Sequence, residues 1–144
     1  MKIERLNERC FKGQWWSGTF EEAAKGKIRE KINEFLEGNL IKEGPFYGIA
    51  VHNSTNGFKY FIGVEADRES EVIIPKSNYL IIEVNNKSAY EVYQELERKS
   101  EYDFKSFFDA NIKYDSIPIK IEKYWYKEGA FKVTQIEVPI NKTT

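Results

Sequence analysis

The sequence predicts an α+β fold assembled from two similar β-α-β-β halves. Three observations carry that reading: two capped amphipathic helices, a strand-like segment before each, and a hairpin after each. Hairpins keep neighbouring strands antiparallel, so the helices are expected together on one side of a sheet rather than alternating through a parallel one. The halves fall at about residues 1–67 and 71–144 of a single 144-residue domain, with a ligand pocket expected between them.

In chain order, Arg9 to Trp16 is the first strand-like run. Thr19-Phe20-Glu21-Glu22 follows as a capping box, in which the Thr hydroxyl and the Glu three residues on satisfy early helical N–H groups in reciprocal fashion. Phe20, Ala24, Ile28, Ile32, Phe35 and Leu36 recur at helical spacing, and Gly38 supplies a left-handed stop, so a helix is predicted over 20–37. Gly26 lies inside it at a cost of about 1 kcal/mol relative to Ala. Phe46 to His52 and Phe58 to Ala66 then read as strands joined by a polar loop ending in Asn56-Gly57, a dipeptide that tolerates positive φ.

Asp67 to Glu71 is a short polar join between the halves. Tyr79 to Val84 is the next strand, and Ser88-Ala89-Tyr90-Glu91 opens a second helix with Ala89, Val92, Tyr93 and Leu96 on its apolar side, running to Lys99 or a little beyond. The stretch Ser100 to Ser116, with Phe104, Phe107 and Phe108, fits either more helix or a packed loop. Ile119 to Tyr126 and Phe131 to Ile140 close the chain as a hairpin turning at Glu128-Gly129.

Composition removes several function classes. With 22 basic and 23 acidic residues scattered along the chain, no cationic stripe exists to neutralise a nucleic-acid backbone. Cys10 has no partner for a disulfide and is expected as a small buried residue, which together with one histidine argues against a soft metal site and for a reducing cytoplasm. The N-terminus lacks a signal-peptide core, and no apolar run approaches the roughly 20 residues that span a bilayer. No phosphate-cradling glycine loop is present, so no nucleotide or other cofactor is expected. What the composition does offer is aromatic surface: 15% Phe, Trp and Tyr, nine of them Tyr, is material for pocket walls.

Strand alternation sets Glu122, Tyr124 and Tyr126 on one face of their strand, with Ile121, Lys123 and Trp125 on the other. A carboxylate among phenols suits a cationic ligand through charge pairing and cation–π attraction. Glu65, Glu83 and Glu137 each sit between apolar neighbours and read as solvent-facing positions of half-buried strands. Trp15 and Trp16 must point to opposite faces, so at most one of them lines a given cavity. His52, with no partner motif, reads as a surface histidine.

Four ordered passages carry a resemblance to a known family. They are Phe46-Tyr47-Gly48-Ile49, Tyr60-Phe61-Ile62-Gly63-Val64-Glu65, Ile73-Ile74-Pro75-Lys76-Ser77-Asn78-Tyr79, and Ile121-Glu122-Lys123-Tyr124 followed by Ile136-Glu137-Val138-Pro139-Ile140. Together with the helices between them they resemble the GyrI-like effector-binding domains, over nearly the whole chain. The resemblance implies a duplicated β-α-β-β unit and a pocket glutamate on the penultimate strand, which by motif is Glu122. It further implies a ligand that is cationic or aromatic facing Glu122; with the shared face at Glu122, this makes Tyr47, Tyr93, Tyr124 and one of Trp15 or Trp16 the candidate walls. Two alternatives come with the family: hydrolysis of reactive cyclopropane-bearing compounds by the same glutamate, and a protein-interaction role such as inhibition of DNA gyrase. A free-standing domain without a helix-turn-helix unit is expected, since no basic helix for one is present.

Overall fold

A computed structural model of the chain describes residues 1–67, 72–99 and 101–141. Its elements are β1 (Lys2–Leu6), β2 (Arg9–Thr19), α1 (Phe20–Ala24), α2 (Lys27–Gly38), β3 (Glu43–Val51), β4 (Gly57–Ala66), β5 (Val72–Ile74), β6 (Ser77–Glu83), α3 (Ala89–Arg98), β7 (Ile119–Lys127) and β8 (Ala130–Ile140). Eight strands form one antiparallel sheet in the order β1-β6-β8-β7-β3-β4-β2-β5. The class is α+β, as the hairpin pattern predicts. The two hairpins meet at the centre, where β3 pairs with β7 from Glu43↔Lys127 to Val51↔Ile119.

The predicted helix over 20–37 is two helices. Thr19 caps the first through both halves of its capping box with Glu22, but Gly26 adopts φ 87°, a left-handed conformation that ends one helix and begins the other. Ser88 caps α3 by accepting from the Glu91 N–H at 3.1 Å. Two strands escaped the sequence pattern, β1 and β5, which are short and lie on the two edges of the sheet. The polar join at 67–71 lies, from residue 68 on, outside the described residues, as does Ser100. Residues 101–116 form no helix; Phe104 bridges to Ile140, while Phe107 and Phe108 pack against the sheet.

Both faces of the sheet are covered, which explains why its strands are so apolar. On one face, Ile32, Phe35 and Leu36 of α2 pack over Phe46, Phe58, Tyr60, Ile62 and Tyr124. Farther along that face, Val92 and Leu96 of α3 pack over Leu80, Ile82, Ile136 and Val138. The opposite face gathers Phe11, Tyr47, Ile49, Phe61, Tyr79 and Ile121 with Phe107 and Phe108. Glu137 points to this second face and is buried, not solvent-facing as its neighbours suggest; Arg9 pairs with it at 2.8 Å and Gln135 donates to it at 3.1 Å. Glu65 and Glu83 are exposed as expected, with Glu65 accepting from the Tyr47 hydroxyl at 3.1 Å. Cys10 is half-buried.

A bulge between β7 and β8 sets the parity of the last strand. Lys123 pairs with Gln135 but Tyr124 pairs with Val133, so Thr134 is the extra residue and donates its hydroxyl to the Lys123 carbonyl at 3.2 Å. One inserted residue reverses strand alternation. Phe131 and Val133 therefore face the helices together with Ile136 and Val138, although the two sets occupy opposite parities in the sequence.

Candidate functional site

The helices α2 and α3 cover separate ends of one sheet face, and between them the central strands are left open. The resulting cleft has a volume of about 710 Å³, with Phe20, Ala23 and Ile28 on one wall and Ala89, Tyr90 and Tyr93 on the other. Residues of both hairpins line it: Ala50, Phe58 and Tyr60 from one, Lys120 and Glu122 from the other.

Glu122 is on the floor, where alternation from Ile121 turns its side chain toward the helices. Its carboxylate accepts three phenolic hydrogen bonds. Tyr60 donates to Oε1 at 2.8 Å, Tyr124 to the same oxygen at 3.0 Å, and Tyr93 reaches Oε2 from α3 at 2.9 Å. Burial, reinforced by the Glu122 charge, pushes all three phenols well above their ordinary range, so they are neutral donors at any physiological pH. Among the described residues no Lys, Arg or His nitrogen lies within 4.0 Å of this carboxylate.

Gly48 makes the Tyr60 contact possible. It sits opposite Glu122 in the sheet, and a Cβ there would lie 1.9 Å from the Tyr60 hydroxyl oxygen. The missing side chain is the channel through which Tyr60 crosses from β4 to the carboxylate on β7. Phe46, two residues earlier on the same face, stacks on Tyr124 with ring centroids 4.8 Å apart and fixes that phenol.

Of the residues expected at the site, the structure brings together Glu122, Tyr93 and Tyr124. Tyr47 lies elsewhere: its strand position is adjacent to Gly48, so it points to the opposite face, against Phe11 at 4.9 Å and Glu65. Trp15 also faces away, near Phe61 and Phe108. Trp16 shares the cleft's side of the sheet, but it packs behind Phe58 at 5.9 Å and is not part of the wall. Tyr60 and Phe58 were missed by the sequence reading; the signal that points to them is Gly48 inside an otherwise apolar strand, which marks close approach of another group.

His52 is a further correction. It is 5% exposed rather than on the surface, held between Phe20 and Phe58 with ring centroids 5.9 Å from each. Neither ring nitrogen makes a hydrogen bond to another of the described residues; Nδ1 stands 3.6 Å from Asp115 Oδ2, which takes its short contact at 3.0 Å from Lys120. Burial first and the Lys120 charge second lower His52 to about 4, against the opposing pull of Asp115, so the imidazole is neutral near pH 7. Among the described residues no group of three His, Cys, Asp or Glu side chains could hold a metal ion, and no helix is long and apolar enough to cross a membrane.

The chain is an antiparallel sheet with its helices on one face and a carboxylate-floored cleft between them, and comparison with solved structures finds the same fold. SAV2435 in its complex with tetraphenylphosphonium superposes with a TM-score of 0.57 at 14% identity, covering 97% of this chain and 93% of that one. A Staphylococcus aureus MU50 protein described as a transcription regulator gives 0.58 at 15% identity, covering 98% and 97%. The likeness is one of fold, and it agrees with the GyrI-like resemblance carried by the four sequence passages. No protein-family model matches the chain, and no curated protein matches it in sequence.

Proposed function

We propose that this domain binds small organic cations carrying aromatic groups, with Glu122 as the charge partner. The observation that carries the reading is the Glu122 carboxylate itself. It is organised by three neutral phenols, has no cationic side chain within 4.0 Å among the described residues, and opens onto a cleft walled by Phe20, Phe58, Tyr90 and Tyr93. A lipophilic cation supplies the missing charge and meets ring faces at the same time. The structural neighbour bound to tetraphenylphosphonium supports this choice of ligand class.

The hydrolytic alternative has less support. A water activated by Glu122 would need a donor for the developing oxyanion, and the phenol hydrogens are already engaged, at the carboxylate or in the 3.3 Å contact between Tyr60 and Tyr124. A purely protein-interaction role is likewise less favoured, because it calls for little cavity where this cleft measures about 710 Å³. The reading extends to a single domain of two similar halves acting in the cytoplasm on small molecules and not on nucleic acid.

Calorimetric titration of the protein with tetraphenylphosphonium tests the proposal. A micromolar dissociation constant, about −8 kcal/mol, is expected. Absence of heat and of competition at millimolar ligand, across several lipophilic cations, would refute it.

A further inference from the structure

Lys120 lies on the same strand and the same face as Glu122, two residues away and so about 7 Å along β7. The two opposite charges nonetheless do not pair. The Lys120 ammonium turns to Asp115 at 3.0 Å and rests over the Tyr93 ring, 4.7 Å from its centroid. Tyr93 is thus a partition: its hydroxyl serves Glu122 and its ring face serves Lys120. Lys120 is 9% exposed, lines the cleft, and has one of its three N–H donors engaged by a side chain. His52, neutral and with no hydrogen-bond partner among the described residues, lines the cleft beside it. Buried donors call for an acceptor, and a group of the ligand entering the cleft can supply one.

We propose that Lys120, with His52 beside it, forms a second subsite that accepts a neutral hydrogen-bond acceptor, such as an ester or ketone carbonyl, on the same ligand whose cationic centre faces Glu122. The proposal rests on the cation-binding reading of the cleft and narrows its ligand class to monocations with a carbonyl about 7 Å from the charge. Charge decides for a neutral acceptor over an anion. Asp115 already balances Lys120, so among the described residues Glu122 is the uncompensated charge on the floor, and the exposed Glu97 adds a carboxylate at the rim. A monocation cancels the Glu122 charge. The cationic end of a zwitterion would cancel it too, but its carboxylate would be set against Asp115 at a lysine that is already balanced.

Three triphenylphosphonium probes test this by calorimetry at pH 7, bearing a pentyl chain, the same chain ending in an ethyl ester, and the same chain ending in a free carboxylate. The ester is expected to bind about tenfold more tightly than the alkyl probe, the effect of one hydrogen bond from a charged donor. The carboxylate probe is expected to bind no more tightly than the alkyl one. In the paired variant Lys120→Met/Asp115→Asn, which removes both charges and strands neither, the ratio of ester to alkyl affinity is expected to fall to about one. Alkyl binding without an ester gain in the wild-type protein overturns the second subsite and leaves cation binding standing. So does an ester gain that survives the paired variant, or a carboxylate probe that binds most tightly. If the alkyl probe fails to bind at all, the cation site is refuted and the second subsite falls with it.

Discussion

Tyr93 and Glu122 join the third helix to the central strand of the sheet through a 2.9 Å hydrogen bond from a phenol hydroxyl to a carboxylate oxygen. That bond fixes the distance between the α3 wall and the floor of the cleft, so the pocket is shaped by the same group that gives it charge. Val92 and Leu96 hold α3 onto the strands beneath it. The helix therefore carries Tyr93 to Glu122 with little freedom to miss.

Removing this tether is expected to be felt in stability. Tyr93→Phe deletes a hydrogen bond to a charged acceptor while keeping the ring over which Lys120 rests. A loss of about 1.5–3 kcal/mol is expected in urea unfolding. An unchanged midpoint would mean that the bond is replaced by water at no cost.

Gly48→Ala is expected to cost about 1–3 kcal/mol by overpacking, because the added methyl would meet the Tyr60 hydroxyl at 1.9 Å. The variant should also displace Tyr60 from Glu122 and weaken cation binding. Pairing it with Tyr60→Phe removes the oxygen at 1.9 Å and leaves the ring carbon Cζ at 2.6 Å, so part, but not all, of the lost stability should return. No recovery would show that the ring, rather than the hydroxyl, sets the cost.

Stability should fall in acid through His52. Its folded value of about 4 lies below the ordinary 6.5. The unfolded chain therefore takes up the proton first. Stability is full above pH 6.5, declines as pH drops from there to about 4, and loses roughly 3 kcal/mol over that window. In His52→Phe, which suits the aromatic neighbours Phe20 and Phe58, the decline between pH 6.5 and 4 should flatten. Parallel profiles for the two proteins would assign the acid sensitivity elsewhere.

A cyclopropane-bearing electrophile, followed by mass spectrometry, is expected to open no faster with protein than in buffer. The phenols that would stabilise an oxyanion are spent on Glu122. Turnover that vanishes in Glu122→Gln would reverse this reading and make the protein a hydrolase.

Much of this architecture is written in local signals. Thr19 with Glu22 and Ser88 with Glu91 mark helix starts because a cap needs no tertiary partner. Period-two alternation placed Glu122 and Tyr124 on one face. What escaped depends on contacts far apart in sequence. The edge strands β1 and β5 take their order from β6 and β2, to which they pair. Tyr60 reaches Glu122 across 62 residues of chain. Tyr47 was misplaced because a resemblance points to a segment, whereas the face of a strand changes at every residue. Burial of Glu137 and His52 was hidden for a different reason: both faces of this sheet are covered, so polarity in the sequence no longer signals exposure.

The central claim is that the Glu122 charge, rather than the aromatic walls alone, selects the ligand. Glu122→Gln keeps the size and planarity of the side chain and removes only its charge. Calorimetry of tetraphenylphosphonium binding to the wild-type and variant proteins, at the same salt concentration, should show at least a tenfold loss of affinity, or about 1.4 kcal/mol. Equal affinity in the two proteins, with both correctly folded by circular dichroism, would contradict the account.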